Sequence, residues 1–227
     1  RNQIAVSQKE TRMMYWIKRI AFLVLILPMA MCQAQTEKYQ AGVHYEVLAQ
    51  PIRTADASKI EVNEVFSYTC GHCYNFEAVI HPWSQKLAGD VDYQQTPAVW
   101  QPALEPLARA YYSAAQLKVL DKTHMAIFEA IHVNKKQVRT EADIADIFAA
   151  VGVDRLDFSK AYNSFGMSSM VNQAKARIRG YRVQGTPEVI VNGKYRVSSR
   201  NAGGFDGMIN VADFLIEKER SASAKPK

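Results

Sequence analysis

The chain has 227 residues, of which 48% are hydrophobic and 22% are charged, a composition that is typical of a globular protein with a full core. Its formal net charge of +6 is concentrated at one end, because residues 1–34 hold five of the 28 basic residues and one of the 22 acidic residues. The remaining chain has 23 basic and 21 acidic residues and no clustered basic face, which argues against a nucleic-acid partner.

Residues 1–34 are predicted to be a signal peptide that is cleaved on export. Lys18 and Arg19 precede an apolar run at residues 20–27, and small residues follow Pro28. A basic segment, a short apolar segment and a small-residue cleavage zone are typical of such signals. The apolar run is shorter than the roughly 20 residues that span a bilayer. An uncleaved N-terminal anchor is the alternative.

Two details of this segment affect the mature chain. The methionines at positions 13 and 14 are more natural starts than the first residue, so residues 1–12 need not be translated. Cys32 lies in the cleavage zone, and we expect it to be removed. Lipid attachment at Cys32 is the alternative, but Met31 before it is larger than the small residue that such sites prefer.

The first half of the remaining chain predicts a strand, a helix and a second strand. Residues 60–66 are rich in β-branched and aromatic side chains, which predicts a buried strand that carries Glu64. After Cys70, apolar residues recur every three or four positions, which predicts a helix. Residues 91–96 alternate weakly and predict another strand.

Residues 100–179 lack strand signals and are rich in Ala, Leu, Gln and Lys, which predicts a block of helices. Thr140 and Asp143 resemble a capping box at the start of one helix. The last helix of the block is predicted to begin after a cap at Ser168 or Ser169.

Strand signals return after the helical block. Residues 188–191 and 194–197 flank Asn192-Gly193, and this arrangement predicts a β-hairpin because both turn positions tolerate positive φ. Residues 205–219 predict a closing amphipathic helix, and residues 221–227 predict a disordered tail.

The sequence Cys70-Gly71-His72-Cys73 lies where the first strand gives way to its helix. An exported chain with a single cysteine pair spaced by two residues indicates a redox centre rather than a disulfide-stapled scaffold. The helix N-terminus is expected to lower the pKa of Cys70 and make it the nucleophile. His72 can add a donor or a positive charge, and the more buried Cys73 would resolve the mixed disulfide.

A purely structural role or a metal site would also use a pair of cysteines. A structural disulfide across two residues would close too small a loop to stabilise the fold much. A zinc site needs about four ligands, and no second cysteine or histidine pair has a suitable spacing. We therefore expect no metal and no cofactor apart from the redox-active disulfide Cys70–Cys73.

Two further positions are candidates for supporting this pair. Thr186-Pro187 precedes the hairpin, where a cis bond could bring the backbone beside the dithiol, although a trans loop proline is the alternative. Glu64 lies six residues before Cys70. It is either a partly buried carboxylate with a raised pKa, suited to proton transfer, or an outward-facing acid.

The stretches FSYTCGHCYNFE at residues 66–77 and GTPEVIVNGKY at residues 185–195 resemble the thiol:disulfide interchange protein DsbA family, and the match runs from about residue 40 to 218. This resemblance implies an α/β thioredoxin fold with an inserted all-helical domain. Residues 35–99 and 180–220 would then form the thioredoxin-like domain, and residues 100–179 the insertion.

The resemblance also implies a function in the bacterial periplasm. The chain would oxidise reduced or unfolded exported proteins, and a membrane quinone-linked partner of the DsbB type would reoxidise it. Pro187 would be cis, and Thr186 would contact bound peptide through its backbone. We expect a monomer, because the chain shows no separate dimerisation domain.

Two departures from the best-known family members leave alternatives open. Those members carry Pro-His between the cysteines, whereas this chain has Gly71-His72, as protein disulfide isomerases do. They often carry Val before the cis-proline, whereas this chain has Thr186. An isomerase or reductase is therefore an alternative function, and a peptide-binding chaperone module with a vestigial dithiol is another.

Overall fold

A mixed five-stranded sheet in the order β1-β5-β4-β2-β3 organises the fold. The computed structural model describes residues 37–223. The strands β2 and β3 are parallel, and the other neighbouring pairs are antiparallel. Because β2 and β3 are parallel, their carboxyl ends and the loops that follow them meet at one edge of the sheet. The strands are β1 (Glu46–Val47), β2 (Ile60–Phe66), β3 (Val91–Pro97), β4 (Glu188–Val191) and β5 (Tyr195–Ser198).

The predicted strands are confirmed to within a residue. All seven residues of β2 are buried, as expected for a strand paired on both sides and covered on both faces. The hairpin between β4 and β5 has positive φ at Asn192 (50°) and Gly193 (60°), as the turn sequence predicts.

The helices lie mostly between β3 and β4, as the composition of that stretch predicts. A 3₁₀ turn, Pro102–Leu104, precedes the second helix. Within residues 37–223 the helices are α1 (Gly71–Ser84), α2 (Glu105–Gln116), α3 (Leu120–His132), α4 (Glu141–Ala150), α5 (Arg155–Tyr162), α6 (Met167–Gly180), α7 (Ser199–Ala202) and α8 (Phe205–Ser223).

These helices cover the sheet in three places. Helices α1 and α8 pack on the face that bears Val62, and α6 packs on the opposite face through Ile178 beside Val65. Helices α2 to α5 form a cluster with Phe66 and Tyr68 at the end of β2. Residues 38–223 belong to one compact unit, so the helical stretch is packed directly on the sheet.

The capping predictions for two helices have different outcomes. Thr140 and Asp143 form a full capping box at the start of α4, as predicted. The predicted cap of α6 at Ser168 or Ser169 is wrong, because the helix begins at Met167 after Gly166. The Met167 side chain is fully buried, and its packing favours a helix that starts at this residue. The Ser168 hydroxyl does not cap the helix but accepts a hydrogen bond from Arg109 at 3.2 Å.

The predicted disorder at the C-terminus is wrong for residues 221–223, which belong to α8. The Ser223 hydroxyl donates to the Glu219 carbonyl at 3.0 Å, and the buried Glu219 anchors this end of the helix on Lys194. Residues 224–227, the signal peptide predicted over residues 1–34 and Cys32 lie outside the described residues. No helix within residues 37–223 combines the length and apolar character needed to cross a bilayer.

Candidate active site

Cys70 is the N-cap residue of α1, directly after the turn that ends β2. Its backbone is extended (φ −92°, ψ 115°), and its N–H donates to the Ser67 carbonyl at 3.0 Å. This geometry places the Cys70 thiol at the positive end of the helix dipole, beside backbone N–H groups that have no partner within the helix. The predicted position at a helix N-terminus is confirmed.

The loop before β4 lies directly against this thiol. The Thr186–Pro187 peptide bond is cis, as the family resemblance implied. The Cys70 sulfur is 3.2 Å from the Thr186 carbonyl oxygen, which accepts from the protonated thiol, across a sequence separation of 116 residues. The structure therefore brings together the two motifs that carried the resemblance.

The pKa of Cys70 is lowered from its ordinary value to about 5. The largest cause of this lowered pKa is a hydrogen bond from the Cys73 thiol. The Thr186 side chain and the backbone N–H groups of Cys73 and His72 act in the same direction, against the effect of burial. Cys70 is therefore a thiolate at neutral pH, the form that attacks a disulfide.

Cys73 has the opposite character. Its side chain is 0% exposed, and the Ser67 N–H donates to its sulfur at 3.4 Å. Burial raises the pKa of the Cys73 thiol far above its ordinary value, and the adjacent Cys70 sulfur adds to the shift. Cys73 therefore stays protonated, which suits a resolving cysteine that no external reagent reaches.

The two residues between the cysteines are exposed. The His72 ring meets the Phe205 ring edge-on, with 6.5 Å between centroids. A Cβ atom at Gly71 would meet only the His132 ring, at an ordinary distance of 3.9 Å. The glycine that distinguishes this motif is therefore not required by packing.

Glu64 is fully buried on the central strand, so the alternative of an outward-facing acid is wrong. Its Oε2 accepts hydrogen bonds from the Tyr93 hydroxyl at 2.6 Å and from Gln95 at 2.8 Å, both on β3. Burial, followed by the charge of Glu77, raises the pKa of Glu64 to about 8. Glu64 is therefore mostly protonated at neutral pH.

Sequence reasoning missed the residues that complete this buried polar cluster. Glu77 lies one helical turn after Cys73, and its Oε1 is 3.0 Å from His124 Nε2. The other ring nitrogen of His124 is 2.8 Å from the Tyr68 hydroxyl. The spacing of four residues between Cys73 and Glu77 is a local signal that could have identified Glu77. His124 lies in a distant helix and has no such signal.

A second histidine of α3, His132, holds the turn before Cys70. Its Nε2–H donates to the Tyr68 carbonyl at 2.9 Å, and its ring stacks on Tyr74 with 5.4 Å between centroids. Sequence analysis did not identify His132 as a site residue, because its contact with this turn spans 64 residues of the chain. Together with His124, it ties the helical stretch to the turn that presents the nucleophile.

No group of three or more potential metal ligands occurs among residues 37–223. The reactive groups of the site are the two cysteine thiols. One thiol is ionised and accessible, the other is protonated and buried, and disulfide exchange needs both properties within one helical turn. This site, on a sheet flanked by helices with a helical stretch between β3 and β4, defines a thiol–disulfide oxidoreductase of the thioredoxin fold.

Comparison with known proteins places the chain within that class. Residues 85–215 match the family model of the DSBA-like thioredoxin domain. A thiol:disulfide interchange protein DsbA of Pseudomonas aeruginosa is 40% identical over 192 residues, covering 85% of this chain and 91% of the relative. The DsbA of Burkholderia cepacia is 35% identical over 205 residues, covering 88% and 96%.

Solved structures agree with these relatives. The crystal structure of Pseudomonas aeruginosa DsbA matches with a TM-score of 0.81 and 39% identity, covering 84% of this chain and 99% of that one. The oxidoreductase NmDsbA1 of Neisseria meningitidis matches with a TM-score of 0.74 and 26% identity, covering 82% and 96%.

The chain belongs to the DsbA family. The predicted thioredoxin fold, the helical insertion and the oxidoreductase class are thereby confirmed. Proteins of this family act through their own active-site disulfide, without an external cofactor. The family model begins at residue 85, beyond both cysteines, so the roles of individual site residues rest on their geometry in this structure.

Proposed function

We propose that this protein introduces disulfide bonds into exported proteins in the periplasm, with Cys70 as nucleophile and Cys73 as resolving cysteine. The observation that carries the proposal is the contrast between the two thiols. The pKa of Cys70 is lowered to about 5, whereas burial raises the pKa of Cys73 far above its ordinary value. A stabilised Cys70 thiolate favours the reduced protein and makes its disulfide an oxidant.

The reaction begins with the Cys70–Cys73 disulfide. A substrate thiolate attacks the Cys70 sulfur, the bond to Cys73 breaks, and Cys73 leaves as a thiolate that takes up a proton. The second substrate thiolate then attacks the substrate sulfur of the mixed disulfide. Cys70 leaves as the stabilised thiolate, and two electrons have passed from the substrate to the protein.

Glu64 supports the proton step of this cycle. It is protonated at neutral pH and lies three residues before Ser67, whose N–H contacts the Cys73 sulfur. Glu77 follows Cys73 by one turn and raises the pKa of Glu64 by its charge. We assign to this pair of acids the exchange of a proton with Cys73 as its sulfur leaves or attacks.

The remaining site residues position the substrate. The Thr186 backbone lies beside Cys70, with its carbonyl oxygen 3.2 Å from the sulfur, where it can pair with the backbone of a bound peptide. His72 contributes its backbone N–H to the lowered pKa of Cys70 and exposes its ring beside the dithiol. Gly71 adds no side chain to this exposed turn.

The organisation of the whole chain follows the family. We propose that residues 1–34 are a cleaved export signal, with residues 1–12 dispensable. Residues 35–99 and 180–220 then form the thioredoxin-like domain, and residues 100–179 form the helical insertion. The protein acts as a monomer, and a membrane quinone-linked partner of the DsbB type reoxidises it. The match to a DsbA over 85% of this chain and 91% of the relative supports this organisation.

A disulfide isomerase or reductase is the second candidate, because Gly71 and Thr186 are the residues found in those enzymes. The tuned pKa values of both thiols argue against a chaperone module with a vestigial dithiol.

Two substrates separate the functions. In the oxidation assay, the DsbA-family protein in its disulfide form is mixed with a reduced substrate protein that needs two disulfides. In the rearrangement assay, the DsbA-family protein in its dithiol form is mixed with a substrate protein whose disulfides are scrambled. We expect rapid oxidation and slow rearrangement, with Cys70→Ser inactive in both assays. Cys73→Ser cannot form the active-site disulfide, so it should not oxidise the reduced substrate, but its Cys70 should be trapped as a mixed disulfide on the scrambled substrate. Faster rearrangement than oxidation would favour the isomerase, and full activity of Cys70→Ser would contradict both redox functions.

A further inference from the structure

A groove adjoins the active site at Thr69, the residue before Cys70. It has a volume of about 670 Å³, within the range of pockets that hold ligands. One wall is the 3₁₀ turn with the start of α2, and the other is the end of α3 with the loop that leads to α4. Thr69 and the first wall follow the ends of β2 and β3, at the edge of the sheet that carries the dithiol.

The lining of this groove combines an apolar floor with a basic rim. Leu104, Pro106 and Ile131 contribute apolar surface, and Trp100, just before the lining residue Gln101, is 49% exposed. Lys136 and Arg139 supply positive charge from the loop before α4, and none of the described residues that line the groove is acidic. Such a surface is complementary to a ligand with an apolar group beside a carboxylate.

The two cations of the rim are free to bind such a ligand. Both residues are exposed, and neither side chain forms an ion pair with any residue in the part of the chain that the structure describes. Asp143, which follows them, uses its Oδ2 to accept from Thr140 and from the Arg139 backbone N–H. That carboxylate is therefore committed to capping α4.

We propose that this groove binds the segment of the substrate polypeptide next to the reacting cysteine, and that it prefers an apolar side chain beside a carboxylate. The inference rests on the proposed function, since the substrate cysteine must reach the Cys70 sulfur. That sulfur is 3.2 Å from the Thr186 carbonyl, and Thr69, which lines the groove, directly precedes Cys70 in the chain. Because an extended chain advances about 3.3 Å per residue, we place the residues two or three positions from the substrate cysteine in the groove.

Four synthetic peptides with a single cysteine test this assignment. Two carry Leu-Asp two residues before or two residues after the cysteine, and two carry Leu-Lys at the same places. The rate constant for their attack on the disulfide of the oxidised full-length protein is measured at low and high salt. For one of the two placements, we expect the Asp peptide to react about two- to tenfold faster than its Lys counterpart. Salt should reduce this preference.

Charge-reversal variants locate the preference. The double variant Lys136→Glu with Arg139→Glu should reverse the preference for the Asp peptide. The double variant Lys136→Gln with Arg139→Gln should abolish this preference. If one double variant fails to fold, the other still tests the groove. Lys122→Glu with Arg179→Glu is the matched control, because both residues are exposed and lie outside the groove lining. This control should leave the preference unchanged.

The outcomes separate the inference from the proposed function. Equal rates for Asp and Lys peptides at both placements, or a preference that survives in the Lys136 and Arg139 variants, would overturn the assignment of the groove. If dithiothreitol still reduces the protein in that case, the proposed function stands. Failure to react with dithiothreitol and with all four peptides would overturn both.

Discussion

At the scale of single residues, the difference between two thiols three positions apart explains the chemistry of the site. Cys70 caps α1 and receives hydrogen bonds, whereas Cys73 lies inside the first turn against the helical cluster. Charge is therefore stabilised on one sulfur and excluded from the other. The direction of attack in each exchange step follows from this asymmetry rather than from the Cys-x-x-Cys spacing alone.

Glu64 is the buried group whose protonation most affects the fold. Its ordinary pKa is 4.5, and burial raises the pKa of the folded state to about 8. An acid with a raised pKa contributes stability below its ordinary pKa, and this contribution is lost as pH rises through the folded value. The wild-type protein should therefore lose stability between about pH 4.5 and 8 on account of this group.

Glu64→Gln tests that expectation, because glutamine resembles the protonated acid but does not ionise. Urea unfolding of the oxidised proteins at pH 5 and pH 8 should show that the wild type loses more stability than the variant, by about 1–3 kcal/mol. Oxidised protein is used because the disulfide removes the titration of Cys70. Parallel pH profiles for the two proteins would contradict the assigned state of Glu64.

At the scale of secondary-structure elements, the helical stretch helps to build the active site. Helix α3 contributes His124, which joins Tyr68 and Glu77, and His132, which holds the Tyr68 carbonyl. The turn that presents Cys70 is thus braced from a helix more than fifty residues away in sequence. A core that includes Phe66, Tyr68 and Cys73 makes the same connection through packing.

The N-termini of α4 and α6 offer a matched pair of capping mutations. Thr140→Ala removes a hydroxyl that accepts the Asp143 N–H in a capping box, and it should cost about 1 kcal/mol. Ser168→Ala removes a hydroxyl that only accepts a bond from Arg109 on the surface, so its cost should be within about 0.5 kcal/mol.

Chemical unfolding of both variants against the wild type measures the difference. Equal destabilisation by the two substitutions would contradict the caps that the structure assigns, and a larger loss for Ser168→Ala would support the cap that the sequence predicted.

Local patterns predicted most of these elements, and their failures have a common cause. The strand at residues 60–66, the hairpin and the capping box at Thr140 depend on neighbouring residues, so the sequence contains their signals. The start of α6 depends on the burial of Met167 beside Val99 and Ala108, which are distant in sequence. The cluster of Glu77 and His124 likewise exists only after the helices have packed on the sheet.

At the scale of the whole molecule, the redox state of the dithiol changes the stability of the fold. The folded pKa of Cys70 is about 5, against an ordinary value of 9.0. A lowered pKa contributes stability that is complete above the ordinary value and is lost as pH falls through the folded value. The disulfide form lacks this thiolate, so only the reduced protein gains from it.

The reduced protein should therefore become more stable relative to the oxidised protein as pH rises from about 5 to 9. Unfolding both forms in urea across this range measures the gap at each pH, because Glu64 titrates in both and its contribution largely cancels. A gap that is constant with pH, or that shrinks as pH rises, would contradict a stabilised thiolate at Cys70.

The ionisation of Cys70 itself is the most direct test of the proposed function. The reduced wild-type protein is alkylated with iodoacetamide between pH 3 and 10, and the rate at Cys70 is followed by mass spectrometry, with urea-unfolded protein as the reference. Cys73 is buried and protonated, so it should not react in the folded protein. We predict that the rate rises through an inflection near pH 5. An inflection that coincides with that of the unfolded protein would contradict Cys70 as an activated nucleophile.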